Sequence, residues 1–243
     1  MITYSVCPIY VGNIWAIPIW TPFDEEKYKI YAQFYEIICF IVLSTIDVAI
    51  DCISASMINL MAIQLDILND NLKRIGQNRS NSSYLEQEKQ IQNDLKRYIQ
   101  HYIAIIRFVT ETQNIFSVGV FIQIFTSVVA ICTTGIQMAL RTSGTFISTL
   151  LYFQTMVIEI GMFCWFSQDI ITKSSQIGES CYMSEWYTCN TSTKRSIFII
   201  MERAKKEIKF RAGGVFEMSL TTFVMILRNS YSYFAVLMRV YKN

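Results

Sequence analysis

The chain has 243 residues, of which 52% are hydrophobic and only 16% are charged, and its formal net charge is +2. Soluble domains carry roughly a quarter charged residues, so this composition predicts a membrane protein, and the near-neutral charge argues against a nucleic-acid partner. With only three prolines and nine glycines, we expect an all-α fold: a polytopic bundle of transmembrane helices with cytoplasmic amphipathic helices.

The first residues of the chain, 1–12, are mostly apolar, and no basic segment precedes them. They are shorter than the roughly 20 residues that cross a bilayer, and they lack the charged start of a secretory signal. We therefore expect either a partial sequence or a chain that has lost an earlier helix.

Four apolar segments are long enough to cross a bilayer. They lie at about residues 32–62, 112–140, 145–168 and 215–240. The short turn 141–144 separates the second from the third, which predicts a tight helical hairpin. The fourth scatters Ser, Thr, Asn and one arginine, Arg228, through an apolar run, a pattern typical of a membrane helix that lines a wet space.

Two acidic residues, Asp47 and Asp51, interrupt the first span and lie four positions apart, on one helical face. We favour an interpretation in which they face the bundle or an aqueous cavity and bond to Ser44, Ser54 or a neighbouring helix. A cation site is the alternative.

The loops between the spans, 69–111 and 170–214, carry seven and eight Lys and Arg residues, whereas the hairpin turn carries only Arg141. The positive-inside rule makes both loops cytoplasmic and places residues 15–23 and the C-terminus outside. The glycosylation sequons at Asn78, Asn81 and Asn190 should then be unmodified.

In each basic loop, the helical spacing of the apolar residues predicts an amphipathic helix, over residues 84–107 and 197–211. The apolar positions of the two helices are Leu95, Ile99, Tyr102, Ile103 and Ile106, and Ile197, Ile200, Met201, Ala204 and Ile208.

Catalytic chemistry has little support in the chain. His101, the single histidine, belongs to a polar helix, and we expect it to be a solvated surface residue. No nucleotide-binding or zinc-protease motif is present, and the seven cysteines form no CxxC pair. We therefore predict no enzyme activity, no catalytic residue, no metal site and no cofactor.

Aromatic and aliphatic side chains recur at helical spacing near the outer ends of the first and third spans. They are Tyr31, Phe34, Tyr35 and Ile38, and Phe146, Leu150, Tyr152 and Phe153. Such rows more often face lipid or pack against helices, but an apolar pocket between helices for a small ligand is the alternative.

The closing segment, SLTTFVMILRNSYSYFAVL at residues 219–237, resembles the closing signature of insect odorant receptors. Residues 18–24, 165–169, 174–180, 182–187, 194–195 and 201–204 are also similar to stretches of that family. Ser167 and Asp169 depart from its usual residues. By this resemblance the chain corresponds to helices four to seven of a seven-helix receptor, without the first three.

The resemblance implies a receptor for a small volatile apolar ligand, in the plasma membrane of sensory neurons. Such a receptor is the tuning subunit of a heteromeric ligand-gated cation channel, and its partner is an odorant co-receptor subunit. The family's pocket then assigns ligand contacts to the two rows, at Tyr31, Phe34, Tyr35, Ile38, Phe146, Leu150 and Phe153. The gapless match of the closing segment places Val236 and Val240 at the family's apolar gate, with Arg239 beside them, although packing is the alternative role for the two valines.

Four other interpretations stay open at this point. A gustatory-type chemoreceptor has the same topology, but its usual closing residues are absent. A G-protein-coupled receptor would show Asn-Pro-x-x-Tyr and the opposite charge distribution. A membrane enzyme or transporter would need intramembrane histidine, paired acids or inverted repeats. Finally, the chain is a nonfunctional receptor fragment if the missing helices are truly lost.

Overall fold

The structure, a computed structural model, describes residues 25–77, 84–139 and 146–242. The described elements are five α-helices, a 3-10 turn at Trp186–Thr188 and a two-stranded hairpin. The helices are α1 (Glu25–Lys73), α2 (Tyr84–Ala139), α3 (Phe146–Tyr182), α4 (Thr191–Ala204) and α5 (Leu220–Lys242). Strand β1 (Arg211–Ala212) pairs antiparallel with β2 (Phe216–Glu217). The predicted all-α membrane bundle is confirmed.

Three of the described helices are long and apolar enough to cross a membrane, over Ile37–Lys73, Leu85–Gly135 and Leu150–Tyr182. The chain is therefore a multi-pass membrane protein. Helix α5 is more polar, but its 23 residues extend about 34 Å, which is close to the roughly 30 Å of a bilayer core. The fourth span stays a prediction.

The chain divides into two compact units. Among the described residues, the first unit comprises 25–54, 124–139, 146–160 and 225–242, and the second comprises 55–77, 84–123 and 161–224. In the described part of the first unit, the buried apolar side chains are Ile131 and Ile160, whereas many large apolar side chains are exposed. Small hydroxyls are buried there instead, at Ser54, Ser127, Thr134 and Ser230. A surface this apolar suits lipid or another protein.

The second unit has a continuous apolar core. Helix α1 contributes Met61, Leu65, Leu68 and Leu72, which recur every three to four residues and therefore share one face. Fully buried side chains are added by α3, at Ile170 and Ile177, by α4, at Ile197, and by the segment before the hairpin, at Phe210. The predicted apolar face of α4 is confirmed at Ile197, Ile200 and Ala204.

The helices continue past the limits that membrane thickness predicted. The amphipathic segment 84–107 and the span 112–140 form one helix, α2, and residues 69–73 and 170–182 belong to α1 and α3. No proline or glycine interrupts residues 62–73 or 105–115, so nothing ends a helix there. Much of the two predicted loops is therefore helical.

The segment between α4 and α5 differs from the prediction of one helix over 197–211 and another from 215. Helix α4 begins at Thr191, because the side chain of Asn190 accepts a hydrogen bond from the Thr193 N–H at 2.8 Å. It ends at Ala204, and the hairpin follows. The hairpin turns at Gly213 and Gly214, whose φ angles are +60° and +71°, a conformation that favours glycine.

Candidate functional site

All seven candidate ligand residues belong to the first unit. On α1, Tyr31, Phe34, Tyr35 and Ile38 are between 58% and 76% exposed. Their spacing of three and four residues places them on one face of the helix. The described part of the first unit therefore presents an uncovered aromatic face on α1, which an apolar ligand, lipid or further helices could cover.

The candidate ligand residues of α3 are partly covered. Leu150 is 41% exposed, Phe153 is half-buried, and the side chain of Phe146 lies outside the described residues. No contact between the α1 row and the α3 row is described, so the pocket that joins them stays a prediction.

The acidic residues of the first span lie near a third carboxylate. Asp51 interacts electrostatically with Glu159 of α3 and with Asp47. Of the predicted partners, Ser54 is excluded as a donor, because its hydroxyl donates to the Ile50 carbonyl at 2.8 Å, the usual bond of serine inside a helix. A bond to Ser44 or to a neighbouring helix stays a prediction. Among the described residues, no group of three or more His, Cys, Asp or Glu side chains could hold a metal ion.

Helix α5 carries the candidate pore residues. Val236 is 61% exposed and Arg239 is also exposed, whereas the side chain of Val240 lies outside the described residues. Arg228, deeper in the helix, is exposed as well. Ser230 is buried, and its hydroxyl has no hydrogen-bond partner within the described residues. In the first unit, the helix thus leaves both apolar and cationic side chains exposed.

The hairpin that precedes α5 is anchored on α2. The Gly213 N–H donates to the Ser117 carbonyl at 2.8 Å, and the Phe121 ring stacks on Phe216 with centroids 5.8 Å apart. A Cβ atom at Gly213 would lie 2.9 Å from the Phe121 ring, closer than side chains approach one another. Only glycine allows this contact.

An ionic cluster closes the hairpin. Glu217 accepts hydrogen bonds from Lys209 at 3.0 Å and Arg211 at 2.9 Å. These two hydrogen bonds lower the pKa of the Glu217 carboxyl below its usual value of 4.5, and the bond from Lys209 has the larger effect.

Polar groups bridge α1 and α3 inside the second unit. The buried Asn69 side chain donates to the Lys173 carbonyl at 2.9 Å and accepts from the Ser180 hydroxyl at 3.2 Å. At the surface, Lys173 pairs with Asp66 at 3.3 Å. The sequence showed no local sign of this network, because its partners are far apart along the chain.

His101 also differs from its prediction as a solvated residue. Its ring is half-buried, and Nε2 lies 3.0 Å from the Gln64 side-chain oxygen of α1. It is covered because α1 and α2 pack together in the second unit. The bond is to a neutral amide, so it offers no catalytic partner.

A polar cavity of about 190 Å³ opens where the turn after α1 meets α2. Its lining includes Asn71, Arg74, Gln90, Asp94 and Tyr98. Odorant-type sites are mostly apolar with a few polar groups, so this cavity is unsuited to the ligand that the resemblance implies.

Comparison with known proteins identifies one family and several relatives within it. The family model described as "7tm Odorant receptor" matches residues 2–231. Odorant receptor 94a of Drosophila melanogaster is 31% identical over 140 residues, which cover 56% of this chain and 36% of that protein. Odorant receptor 33b of the same species is 28% identical over 189 residues, or 77% of this chain and 47% of that protein.

The fold is also similar to a solved structure, that of the insect olfactory receptor OR5 from Machilis hrabei in complex with eugenol. The TM-score is 0.86 at 17% identity, and the match covers 98% of this chain and 62% of that one. At this identity the likeness shows the fold alone. The chain thus spans about half the length of the curated relatives it matches, between 36% and 53%.

Proposed function

The chain belongs to the 7tm odorant receptor family, and from this premise we propose that it binds a small volatile apolar ligand as the tuning subunit of a heteromeric ligand-gated cation channel. The family consists of receptors and not of enzymes, so the prediction that the chain is not an enzyme is confirmed. The observation that carries the proposal is the exposed aromatic face of α1 in a multi-pass membrane bundle.

The proposed ligand contacts are Tyr31, Phe34, Tyr35 and Ile38 of α1 and Phe146, Leu150 and Phe153 of α3. Aromatic and aliphatic side chains match a volatile ligand, because burying its apolar surface supplies most of the binding free energy. The tyrosine hydroxyls add the few polar groups that orient such a ligand. OR5 was solved with eugenol, which makes small aromatic volatiles suitable first probes.

The proposed pore element is α5. Val236 and Val240 are four residues apart and share a face, and rings of apolar side chains close channels by excluding water. Arg239 beside them would repel cations unless its side chain extends to the headgroups, as long basic side chains do near helix ends.

The proposed partner is an odorant co-receptor subunit, which binds through the basic amphipathic segments and the last helix. Supporting this, α4 leaves Phe198 and Ile199 51% and 63% exposed beside its Lys and Arg residues. Neighbouring apolar side chains outside a membrane span mark a surface for another protein. The proposed location is the plasma membrane of sensory neurons, with residues 69–111 and 170–214 in the cytoplasm.

The test is co-expression of the receptor that carries this chain with a co-receptor, followed by current recordings over a panel of volatiles that includes eugenol. Tyr35→Ala and Phe153→Ala should reorder the responses at unchanged surface level. The matched control is Val48→Ala, since Val48 is 57% exposed on the same helix but lies about 140° around its axis from Tyr35. An unchanged order of responses in both Tyr35→Ala and Phe153→Ala would count against the pocket. A wild type that responds to no volatile would count against the receptor role.

A further inference from the structure

The first turn of α5 receives a hydrogen-bond acceptor from another helix. The first N–H groups of a helix have no partner within it. The Leu220 N–H donates to the side-chain oxygen of Gln168, on α3, at 3.3 Å. The Cys164 sulfur of α3 lies beside the backbone of Ser219. The Thr222 N–H is capped locally by the Ser219 hydroxyl at 3.2 Å.

Apolar packing reinforces this junction. The Phe223 ring lies over Gly161 of α3, 3.5 and 3.6 Å from the point that a Cβ atom would occupy. Gly161, Cys164 and Gln168 are spaced by three and four residues, so one face of α3 makes all three contacts. Each contact lies inside the second unit.

Helix α3 is uninterrupted from residue 146 to residue 182. It therefore carries both the proposed ligand contacts Leu150 and Phe153, in the first unit, and the acceptor Gln168, in the second. The proposed ligand contacts and the acceptor at the α5 start are thus joined by one continuous helix.

We propose that Gln168 is a positioning residue, which caps the start of α5 from α3 and couples ligand-dependent movement of α3 to the pore helix. The proposal rests on the function proposed above, because it requires α5 to line the pore. Gln168 touches neither ligand nor ion in this scheme, and Cys164 and Gly161 keep the two helices in register.

The cap is tested first on the chain itself, purified in detergent or nanodiscs, by amide hydrogen exchange of the α5 start. Gln168→Leu removes the acceptor and should speed exchange at Leu220 about five-fold, as expected for a lost helix cap. Gln168→Glu should restore protection, since a carboxylate also accepts the bond and is favoured at a helix N-terminus. Gln176→Leu, at an exposed position of the same helix, is the matched control. Equal exchange in Gln168→Leu and wild type would refute the cap.

The coupling is tested by currents from the receptor expressed with a co-receptor, at matched surface levels. Gln168→Leu should change the ligand-free current, or the half-maximal concentration of an active volatile, about five-fold, and Gln168→Glu should restore wild-type values. A lost cap with unaltered currents would refute the coupling. If the wild type itself gives no current, the proposed function fails, while the exchange experiment still decides whether the cap exists.

Discussion

The two units of the chain use the same helices in opposite ways. In the second unit, α1 buries Met61, Leu65 and Leu68 and bridges to α3 through Asn69. In the first unit, the same helix leaves Tyr31 and Tyr35 more than 70% exposed. In the second unit the apolar surface is buried in the core on folding, whereas in the first unit it stays exposed and can contact lipid, ligand or partners. Substitutions of these apolar side chains should therefore affect stability in the second unit and function in the first.

The largest effect on stability is expected at the hairpin of the second unit. Gly213→Ala places a Cβ atom 2.9 Å from the Phe121 ring in a backbone with φ of +60°. The left-handed conformation and the overlap together should cost about 3 kcal/mol of unfolding free energy. Gly214→Ala has a similar φ but open space around it, so it should cost only about 1 kcal/mol. Denaturant unfolding in detergent measures both, and equal losses would remove the Phe121 contact from the explanation.

A smaller loss is expected at the buried bridge between α1 and α3. Asn69→Leu leaves the Ser180 hydroxyl without its acceptor, and a buried unpaired polar group should cost about 2 kcal/mol. Asn93→Leu on α2 is the control, since Asn93 is exposed and should change stability by less than about 0.5 kcal/mol. The same unfolding experiment applies, and similar values for both variants would show that the bridge does not stabilise the second unit.

The Glu217 cluster predicts a modest pH dependence. Because its two cationic partners lower the pKa of Glu217 below 4.5, the folded state favours the carboxylate. The contribution is therefore complete above the unfolded pKa and is lost as the pH falls through the lower folded pKa. Unfolding followed from pH 6 downward should show a shallower loss in Glu217→Gln than in wild type. Parallel curves would exclude the cluster as a source of acid sensitivity.

The smallest effect on stability is expected in the first unit. Tyr35→Ala removes a side chain that is 72% exposed, so unfolding should change by no more than about 0.5 kcal/mol. The same variant is expected to reorder the responses to volatiles. A large loss of stability would assign Tyr35 to packing and would weaken the contrast between the units.

The sequence predicted the helices well, because long apolar runs without breakers are strong signals. It placed their ends poorly, since bilayer thickness limits an apolar run and not the helix that contains it. The buried face of α2 was predicted only partly correctly. Leu95 and Tyr102 are buried as predicted, whereas Ile103 is 54% exposed and Ile105 is buried in its place. Tertiary packing selects among adjacent apolar residues.

The junctions could not be predicted from local pattern. The bonds from Leu220 to Gln168 and from Asn69 to Lys173 join residues 52 and 104 positions apart, and no periodicity relates such partners. The Gly213-Gly214 pair lies between the two predicted elements, 197–211 and 215–240, and marks a turn directly before the last helix. No local pattern, however, placed the end of α4 at Ala204 or the hairpin after it.

The Asn190 cap has a practical consequence for mapping the orientation of the chain in the membrane. Asn190 is also the acceptor of a glycosylation sequon, with Ser192 as its third residue. The usual sequon knockout, Asn190→Gln, removes the side-chain oxygen that caps α4 as well as the glycan acceptor, and losing the cap costs about 1 kcal/mol. A change in the protein's band on a gel would then have two explanations, a lost glycan or a destabilised chain. Ser192→Ala destroys the sequon and leaves the capping side chain untouched. Ser192 is exposed, and within the described part of the chain it accepts from the Ser196 hydroxyl through its carbonyl, which the substitution keeps.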